Sequence, residues 1–356
     1  MRAAYLNRIG TAVPDHDIHA DFIDFGLSVL TEPRARALFE RMAGRADIEH
    51  RYSFLEPGTK PWDRHLDRRG FFQRGAFPGT GERMALYETE ALTLASRAVE
   101  KLGIDAHRAA ITHLIVASCT GFTAPGLDFH IMQRLGLRNS VERTIVGFMG
   151  CFAAVNALRL ARHIVRSEPE AKVLVVNLEL SSLHLQEQFE VEKMLSFLLW
   201  GDGCAASLVS SEPHGIELGT FQATVIPRTQ DLITWHICDS GFAMHLSAQV
   251  PGRIRRWLTE NGTAFLGHAG ARRFGLWAVH AGGRSILDAV QHGLALAPDA
   301  LRHSREVLRA FGNMSSATLV FVLERILRGP PSEEEGMAMA FGPGLTVETF
   351  AFRRAG

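Results

Sequence analysis

Cys151 is the residue of this sequence best placed to do chemistry. It follows Gly147 and Gly150, between a β-rich run that begins at Thr144 and a helical pattern from Phe152 to Arg162. A thiol at a helix N-terminus feels the positive end of the helix dipole and free N–H groups, both of which favour thiolate. A glycine before it permits a sharp turn. Packing as a small hydrophobe is the commoner use of a cysteine, so Cys151 is a candidate until partners are found. His280 closes a β-like run, Gly275-Leu-Trp-Ala-Val-His280, ahead of Gly282-Gly283. Asn313, in Gly312-Asn313-Met-Ser-Ser316, stands just before the apolar run Ala317 to Leu327, where an N-cap is the ordinary role for asparagine. Together they make a thiol, an imidazole and an amide, each at an element boundary. His280 would hold the thiolate as an ion pair, and His280 and Asn313 would donate hydrogen bonds to an oxyanion. Two chemistries use such a set. A papain-type protease does so in this chain order, but its nucleophile lies near the mature N-terminus in a C-G-S-C-W setting, and here it reads Gly-Cys-Phe in mid-chain. The other is carbon–carbon bond formation on thioesters.

These groups need a scaffold, and the pattern supplies one. A helix is expected from Glu82 to Leu102 with Gly103 ending it. Ile111 to Cys119 and Lys172 to Leu180 read as buried strands. Ser285 to Leu294 reads as a helix, and Met337 to Phe341 and Leu345 to Phe352 as two strands joined by Gly342-Pro343-Gly344. Strands alternating with helices predict a mixed sheet with helices on its faces. The similar order of the two parts suggests a duplicated α/β unit, divided as 1–212 and 213–356. The 356 residues suit two such halves. A segment from Glu56 to Gly81, rich in Gly and Pro, reads as a long loop; its Lys60, Arg64, Arg68, Arg69 and Arg74 could meet phosphate, although a solvated loop is the simpler reading. The chain has 38 basic and 38 acidic residues, which gives no electrostatic reason to expect nucleic acid or a membrane surface. No apolar run is long enough to span a bilayer, and the N-terminus does not read as a signal peptide, so a soluble cytoplasmic protein is expected. The four cysteines, Cys119, Cys151, Cys204 and Cys238, form no disulfide or zinc pattern; Cys204 and Cys238 read as small buried or structural residues.

Four segments carry a resemblance. Gly147-Phe-Met-Gly-Cys151-Phe-Ala-Ala, Val279-His280-Ala-Gly-Gly283, Gly312-Asn313-Met-Ser-Ser316 and Ala340-Phe-Gly-Pro-Gly344-Leu-Thr-Val-Glu-Thr resemble the signatures of type III polyketide synthases. These are the chalcone-synthase-like enzymes of the thiolase superfamily. The resemblance implies a five-layered αβαβα fold, a homodimer and a buried cavity reached by the pantetheine arm of coenzyme A. Cys151 would carry the starter acyl group. His280 and Asn313 would hold the thioester carbonyl of malonyl-CoA and stabilise the enolate left by decarboxylation, which attacks the acyl-Cys151 thioester. The cycle repeats and the chain cyclises. No metal or redox cofactor is implied; the partners are acyl-CoA and malonyl-CoA. Gly342, Pro343 and Gly344 would form a scaffold loop beside the cyclising chain.

Departures from the plant enzymes bear on substrate. Trp200, in Leu199-Trp200-Gly201-Asp202-Gly203, and Met244, in Gly241-Phe-Ala-Met244-His-Leu, stand where those enzymes carry two gatekeeping phenylalanines. Cys119 stands where they have threonine and is expected in the pocket wall. By the same motif offsets Ser181, His184, Ser196, Trp235 and Ser315 fall near the cavity. Phe148, Met149, Leu185, Met194, Phe197 and Met244 are apolar residues close to these motifs, and core packing is the ordinary role for most of them. Any that line a tunnel would favour a fatty acyl starter, with an alkylpyrone or alkylresorcinol as product. Arg45 lies in the region the family uses for the phosphates of coenzyme A, and Glu49 replaces another cation there. The alternatives are a one-round condensing enzyme resembling ketoacyl synthase III, a synthase using malonyl-CoA alone, and a non-enzymatic acyl-binding protein.

Overall fold

The computed structural model describes residues 2–62, 64–267, 270–330 and 334–355; Met1 and Gly356, the outer ends of the expected halves, lie outside the described residues. In chain order the strands are β1 (Tyr5–Ala12), β2 (His16–Asp17), β3 (Tyr52–Ser53), β4 (His113–Ser118), β5 (Glu142–Gly147), β6 (Val173–Leu180) and β7 (Asp202–Ser210). They continue with β8 (Gly215–Val225), β9 (Ile233–Cys238), β10 (Gly241–Leu246), β11 (Leu276–Val279), β12 (Glu335–Gly342) and β13 (Thr346–Ala355). Nine of them form one sheet in the order β11-β12-β13-β8-β1-β7-β6-β4-β5, while β2–β3 and β9–β10 pair separately.

The sheet repeats one topology. In the first part β4 runs parallel to β6, β6 antiparallel to β7, and β7 antiparallel to β1. In the second part β11 runs parallel to β12, β12 antiparallel to β13, and β13 antiparallel to β8. Only β5 has no counterpart among the described residues. The correspondence makes the ends of β4 and β11 equivalent, and these carry Cys119 and His280. It also pairs the helices Ala153–Ser167 and Ser316–Arg328, whose leading turns carry Cys151 and Asn313.

Alternation along the strands separates the layers, because successive side chains face opposite sides of a sheet. In β4, Leu114 and Val116 pack with the outer helices Thr80–Leu102 and Leu127–Leu135, while Ile115 and Ala117 face a central core. In β12, Met337, Met339 and Phe341 pack with Val250–Leu266 and Arg284–Gly293, while Ala338 and Ala340 face the same central core. That core is built on the two central helices. Ser316–Arg328 is buried on every side from Ser316 to Glu324, which requires protein all round it. Ala153–Ser167 turns Ala153, Ala154, Ala157 and Ala161 inward, and small residues let both sheet faces approach. The result is αβαβα, with the two central helices as the middle layer.

The helix expected at 82–102 forms as Thr80–Leu102 and closes on Gly103 in the left-handed region. The expected C-terminal strand pair forms as β12 and β13 joined by a tight turn, Pro343–Leu345. Cys238 corrects its expectation: it is exposed near the tip of the β9–β10 hairpin, whereas Cys204 is buried. Cations of the 56–81 loop are engaged within the chain, Lys60 with Asp21 and Asp24, Arg68 with Glu56 and Arg69 with Glu90, which leaves the solvated-loop reading. At the free edge β5 is largely exposed; its Ile145 is exposed to 45%, and Phe122 and Met149 nearby to 40% and 41%. Among the described residues no helix is long and apolar enough to cross a membrane.

Candidate active site

A cavity forms where the two repeats meet. The β9–β10 hairpin covers it with Ile233, Trp235, Met244 and Leu246, and Trp200, Val250, Ile286 and Phe341 complete the apolar wall. Cys151, His280, Asn313 and Ser315 face the same space. Sequence reasoning brought these four together, with Trp200, Trp235 and Met244. Trp235 and Met244 sit opposite one another across the hairpin, and the Trp200 and Trp235 rings meet edge to face at 6.0 Å.

Each polar group is held by its own chain reversal. Gly150, with φ of 83°, turns the chain from β5 into the helix that follows Cys151. A Cβ at Gly150 would lie 2.2 Å from Pro343 Cδ, and one at Gly342 would lie 2.6 Å from the Phe152 ring. The 342–344 loop is therefore a wedge behind the Cys151 turn. Cys119 supports that turn from another side: Gly150 N–H donates to its Sγ at 3.0 Å. Cys119 is not among the residues that wall the cavity, and burial, with Glu179 next in effect, pushes its thiol well up. His280 is fixed through its backbone, whose N–H donates to Met339 O at 2.8 Å. Among the described residues neither ring nitrogen has a hydrogen-bond partner. The Asn313 amide is oriented at both ends: its Oδ1 accepts from Ser315 N–H at 2.9 Å and its Nδ2 donates to Gly282 O at 3.2 Å. One N–H of that amide remains for a ligand.

Burial governs the electrostatics. It pushes the Cys151 thiol up to about 12, with Glu179 adding to the effect and a hydrogen bond from the Ser315 side chain opposing it. It pushes His280 down to about 3. The thiolate expected from the helix N-terminus is therefore not the resting state of a lone Cys151: desolvation outweighs the dipole. A thiolate and an imidazolium can form here only together, each lowering the cost of the other. Ser315 is held at φ of 46°, the strained left-handed region for a residue with a Cβ. Its side chain hydrogen-bonds Cys151.

Glu179 was missed by the sequence reading. It is the one acid of the fully buried strand β6, and it accepts from Cys119 N–H at 3.0 Å, Thr120 Oγ1 at 3.0 Å and Ser316 Oγ at 2.5 Å. It ties the end of β4 to the start of the helix after Asn313. Burial raises it to about 7 against those donors. An isolated carboxylate in an apolar run was the available signal.

Other expected residues lie off the wall. His184 donates from Nε2 to Thr120 O at 2.7 Å and accepts at Nδ1 from Phe242 N–H at 3.1 Å, a fixed neutral tautomer stacked 4.1 Å from the Phe242 ring. It pins the hairpin to the end of β6. Ser181 is buried on the same turn. Ser196 is on the short helix Val191–Phe197, where its hydroxyl donates to Glu192 O at 3.1 Å. Arg45 is exposed, and its carbonyl accepts from Arg284 at 3.4 Å, so two guanidinium-bearing residues meet beside the His280–Gly283 turn.

Comparison with known proteins agrees with this geometry. Residues 2–213 match the model for the N-terminal domain of chalcone and stilbene synthases, and residues 217–355 the model for their C-terminal domain. An α-pyrone synthesis polyketide synthase-like protein of Mycobacterium tuberculosis, Pks18, is 32% identical across 98% of this chain and 91% of its own length. The crystal structure of PKS-I from the brown alga Ectocarpus siliculosus superimposes with a TM-score of 0.87 at 28% identity, covering 99% of both chains. The C-terminal type III polyketide synthase domain of Steely1 from Dictyostelium shares the fold, with a TM-score of 0.87 at 22% identity over 99% of this chain and 100% of that one.

Two outcomes follow for the cysteine. Gly150→Ala forces a Cβ into Pro343 at a positive φ, and the modification rate of Cys151 by iodoacetamide should fall by about tenfold or more while circular dichroism keeps the helical signal. Ser315→Ala removes the one side-chain hydrogen bond that favours the Cys151 thiolate. The Cys151 pKa then rises, and the pH midpoint of its alkylation should move upward; a midpoint that stays or falls would contradict the assignment.

Proposed function

Because this chain belongs to the chalcone and stilbene synthase family of type III polyketide synthases, condensing acyltransferases that need no cofactor beyond CoA thioesters, we propose that it extends a fatty acyl starter on Cys151 and releases an alkylpyrone or alkylresorcinol. The apolar wall carries this reading. Ile233, Met244, Leu246, Val250 and Ile286 offer aliphatic surface beside the four polar residues Cys151, His280, Asn313 and Ser315, which suits an alkyl chain. The name of the Mycobacterium relative, which speaks of α-pyrone synthesis, supports the same product class.

The cycle uses the groups as follows. Cys151 Sγ attacks the starter thioester, its proton passes to His280, and CoA leaves as the thiol. Malonyl-CoA then enters with its thioester oxygen toward the free Asn313 N–H and His280. Loss of carbon dioxide leaves an enolate, whose charge those donors stabilise where water cannot. The enolate carbon attacks the acyl-Cys151 carbonyl, a carbon–carbon bond forms, and the thiolate is expelled and returns to its place beside His280. The lengthened chain reloads on Cys151 and the round repeats. Trp200, Trp235 and Met244 bound the growing chain, with Ser181, His184 and Ser196 in the layer behind. Cys119 and the 342–344 loop hold the nucleophile in place. Arg45, with Arg284 beside it, receives the phosphates of coenzyme A. The halves 1–212 and 213–356 enclose the one site, and the protein works in the cytoplasm as a homodimer paired at the exposed β5 edge, where Phe122, Ile145 and Met149 supply apolar contact.

Incubation with malonyl-CoA and a chain-length series of acyl-CoAs, read by mass spectrometry, tests the proposal. Long aliphatic starters extended by more than one malonyl unit are expected, with no product from Cys151→Ala. A single extension would indicate a one-round condensing enzyme; use of malonyl-CoA alone, or preference for an aromatic starter, would overturn the fatty acyl reading.

A further inference from the structure

Outside the cavity, one buried charge is aimed at its frame. Arg51 follows the loop that carries Arg45 and is exposed to only 1%. Among the described residues no carboxylate lies within ion-pair distance of its guanidinium. Its Nε donates to His19 Nδ1 at 3.0 Å, and its Nη1 donates to Phe197 O at 3.1 Å and Trp200 O at 2.5 Å. The guanidinium lies 4.9 Å from the centre of the Phe22 ring. Burial pulls Arg51 down to about 9, and the more distant Asp202 and Asp17 only partly offset this. His19 is held neutral, down to about 4, by burial and by Arg51 itself, which leaves Nδ1 free to accept. A desolvated cation bonded only to neutral acceptors is expensive, so the bonds it makes are informative.

The carbonyls it grips belong to the 197–201 segment, which is directly bonded to Asn313. Asn313 N–H donates to Leu199 O at 2.8 Å, and Gly201 N–H donates to Asn313 O at 3.0 Å. The preceding residue is packed against the same side chain. Gly312 has φ of 66°, and a Cβ there would lie 2.8 Å from both Arg51 Cγ and Leu199 O. Arg51 thus touches one backbone neighbour of Asn313 and fixes the segment bonded to Asn313 itself. Cys151 rests on other supports: Pro343, Cys119 and the helix Ala153–Ser167.

We propose that Arg51 is a positioning residue for the decarboxylating half of the reaction, acting through the 197–201 segment on Asn313 and Trp200 and leaving starter loading on Cys151 largely untouched. The inference rests on the reading of Asn313 given above. Arg51→Lys keeps a cation that can reach one carbonyl but not both, and Arg51→Met keeps the stem without the donors.

Two rates are measured on the intact enzyme, each normalised to Cys151 titrated with iodoacetamide: acylation of Cys151 by lauroyl-CoA, and release of carbon dioxide from malonyl-CoA. Decarboxylation should fall by about tenfold or more in Arg51→Met and by less in Arg51→Lys, with acylation within about threefold of wild type in both. A general loss of packing would lower the two rates together. Equal losses, unchanged rates, or failure of both variants to fold would overturn the proposal. If the wild-type enzyme itself does not decarboxylate malonyl-CoA, the proposed function fails first; if it does and the variants show no split, only the role of Arg51 fails.

Discussion

Dryness at the junction of the two central helices is the constraint on which this active site depends. The leading turns of Ala153–Ser167 and Ser316–Arg328 are enclosed by both repeats, so Cys151 and Asn313 meet away from water. A helix N-terminus favours an anion by a modest amount, whereas desolvation works against any unpaired charge. Here desolvation prevails, holding Cys151 up to about 12 and His280 down to about 3. Burial acts on each group taken alone, favouring the neutral thiol and the neutral imidazole. Charge enters as a pair, or arrives on the substrate, where each donor already in place acts with little competition from solvent.

The duplicated topology explains how such a place is made. Equivalent strand ends supply Cys119 in one repeat and His280 in the other, and equivalent helix starts supply Cys151 and Asn313. One fold unit, used twice with different residues at the same stations, gives a buried thiol with its buttress on one side and an imidazole and an amide on the other. Glu179 joins the two sides, since its oxygens reach both the end of β4 and the helix after Asn313. The Pro343 wedge packs against the Cys151 turn and the Arg51 side chain binds the 197–201 segment bonded to Asn313, so the two residues are supported from separate directions.

Much of this was legible in the sequence because it is local. The Gly150–Cys151 turn, the β12–β13 turn and the buried strands β4 and β6 announce themselves within a few residues. The layered fold came from the family resemblance, and the alternation of β4 and β12 between cores bears it out. Other parts depend on distant chain. Strand β7, Asp202-Gly-Cys-Ala-Ala-Ser-Leu-Val-Ser, is rich in small residues and becomes a strand only by burial between β1 and β6. Cys119 was expected in the wall because it stands where the plant enzymes have threonine, but its thiol accepts from the Gly150 amide. His184 looked like a pocket group and is instead consumed by two backbone bonds. Arg51 lies among charged residues, after Asp47, Glu49 and His50, with nothing local to show that it is buried. Each of these depends on which remote backbone group the side chain finds, and spacing along the chain does not encode that.

The direct test is the ultraviolet thiolate absorbance of Cys151 against pH, measured as the difference from Cys151→Ala, in the wild type and in His280→Ala. If charge forms only as a pair, the wild-type thiolate should appear with a midpoint far below that of the His280→Ala protein, in which Cys151 is left to the dry cavity alone. Coincident midpoints would contradict the account, since Cys151 would then ionise without the imidazole.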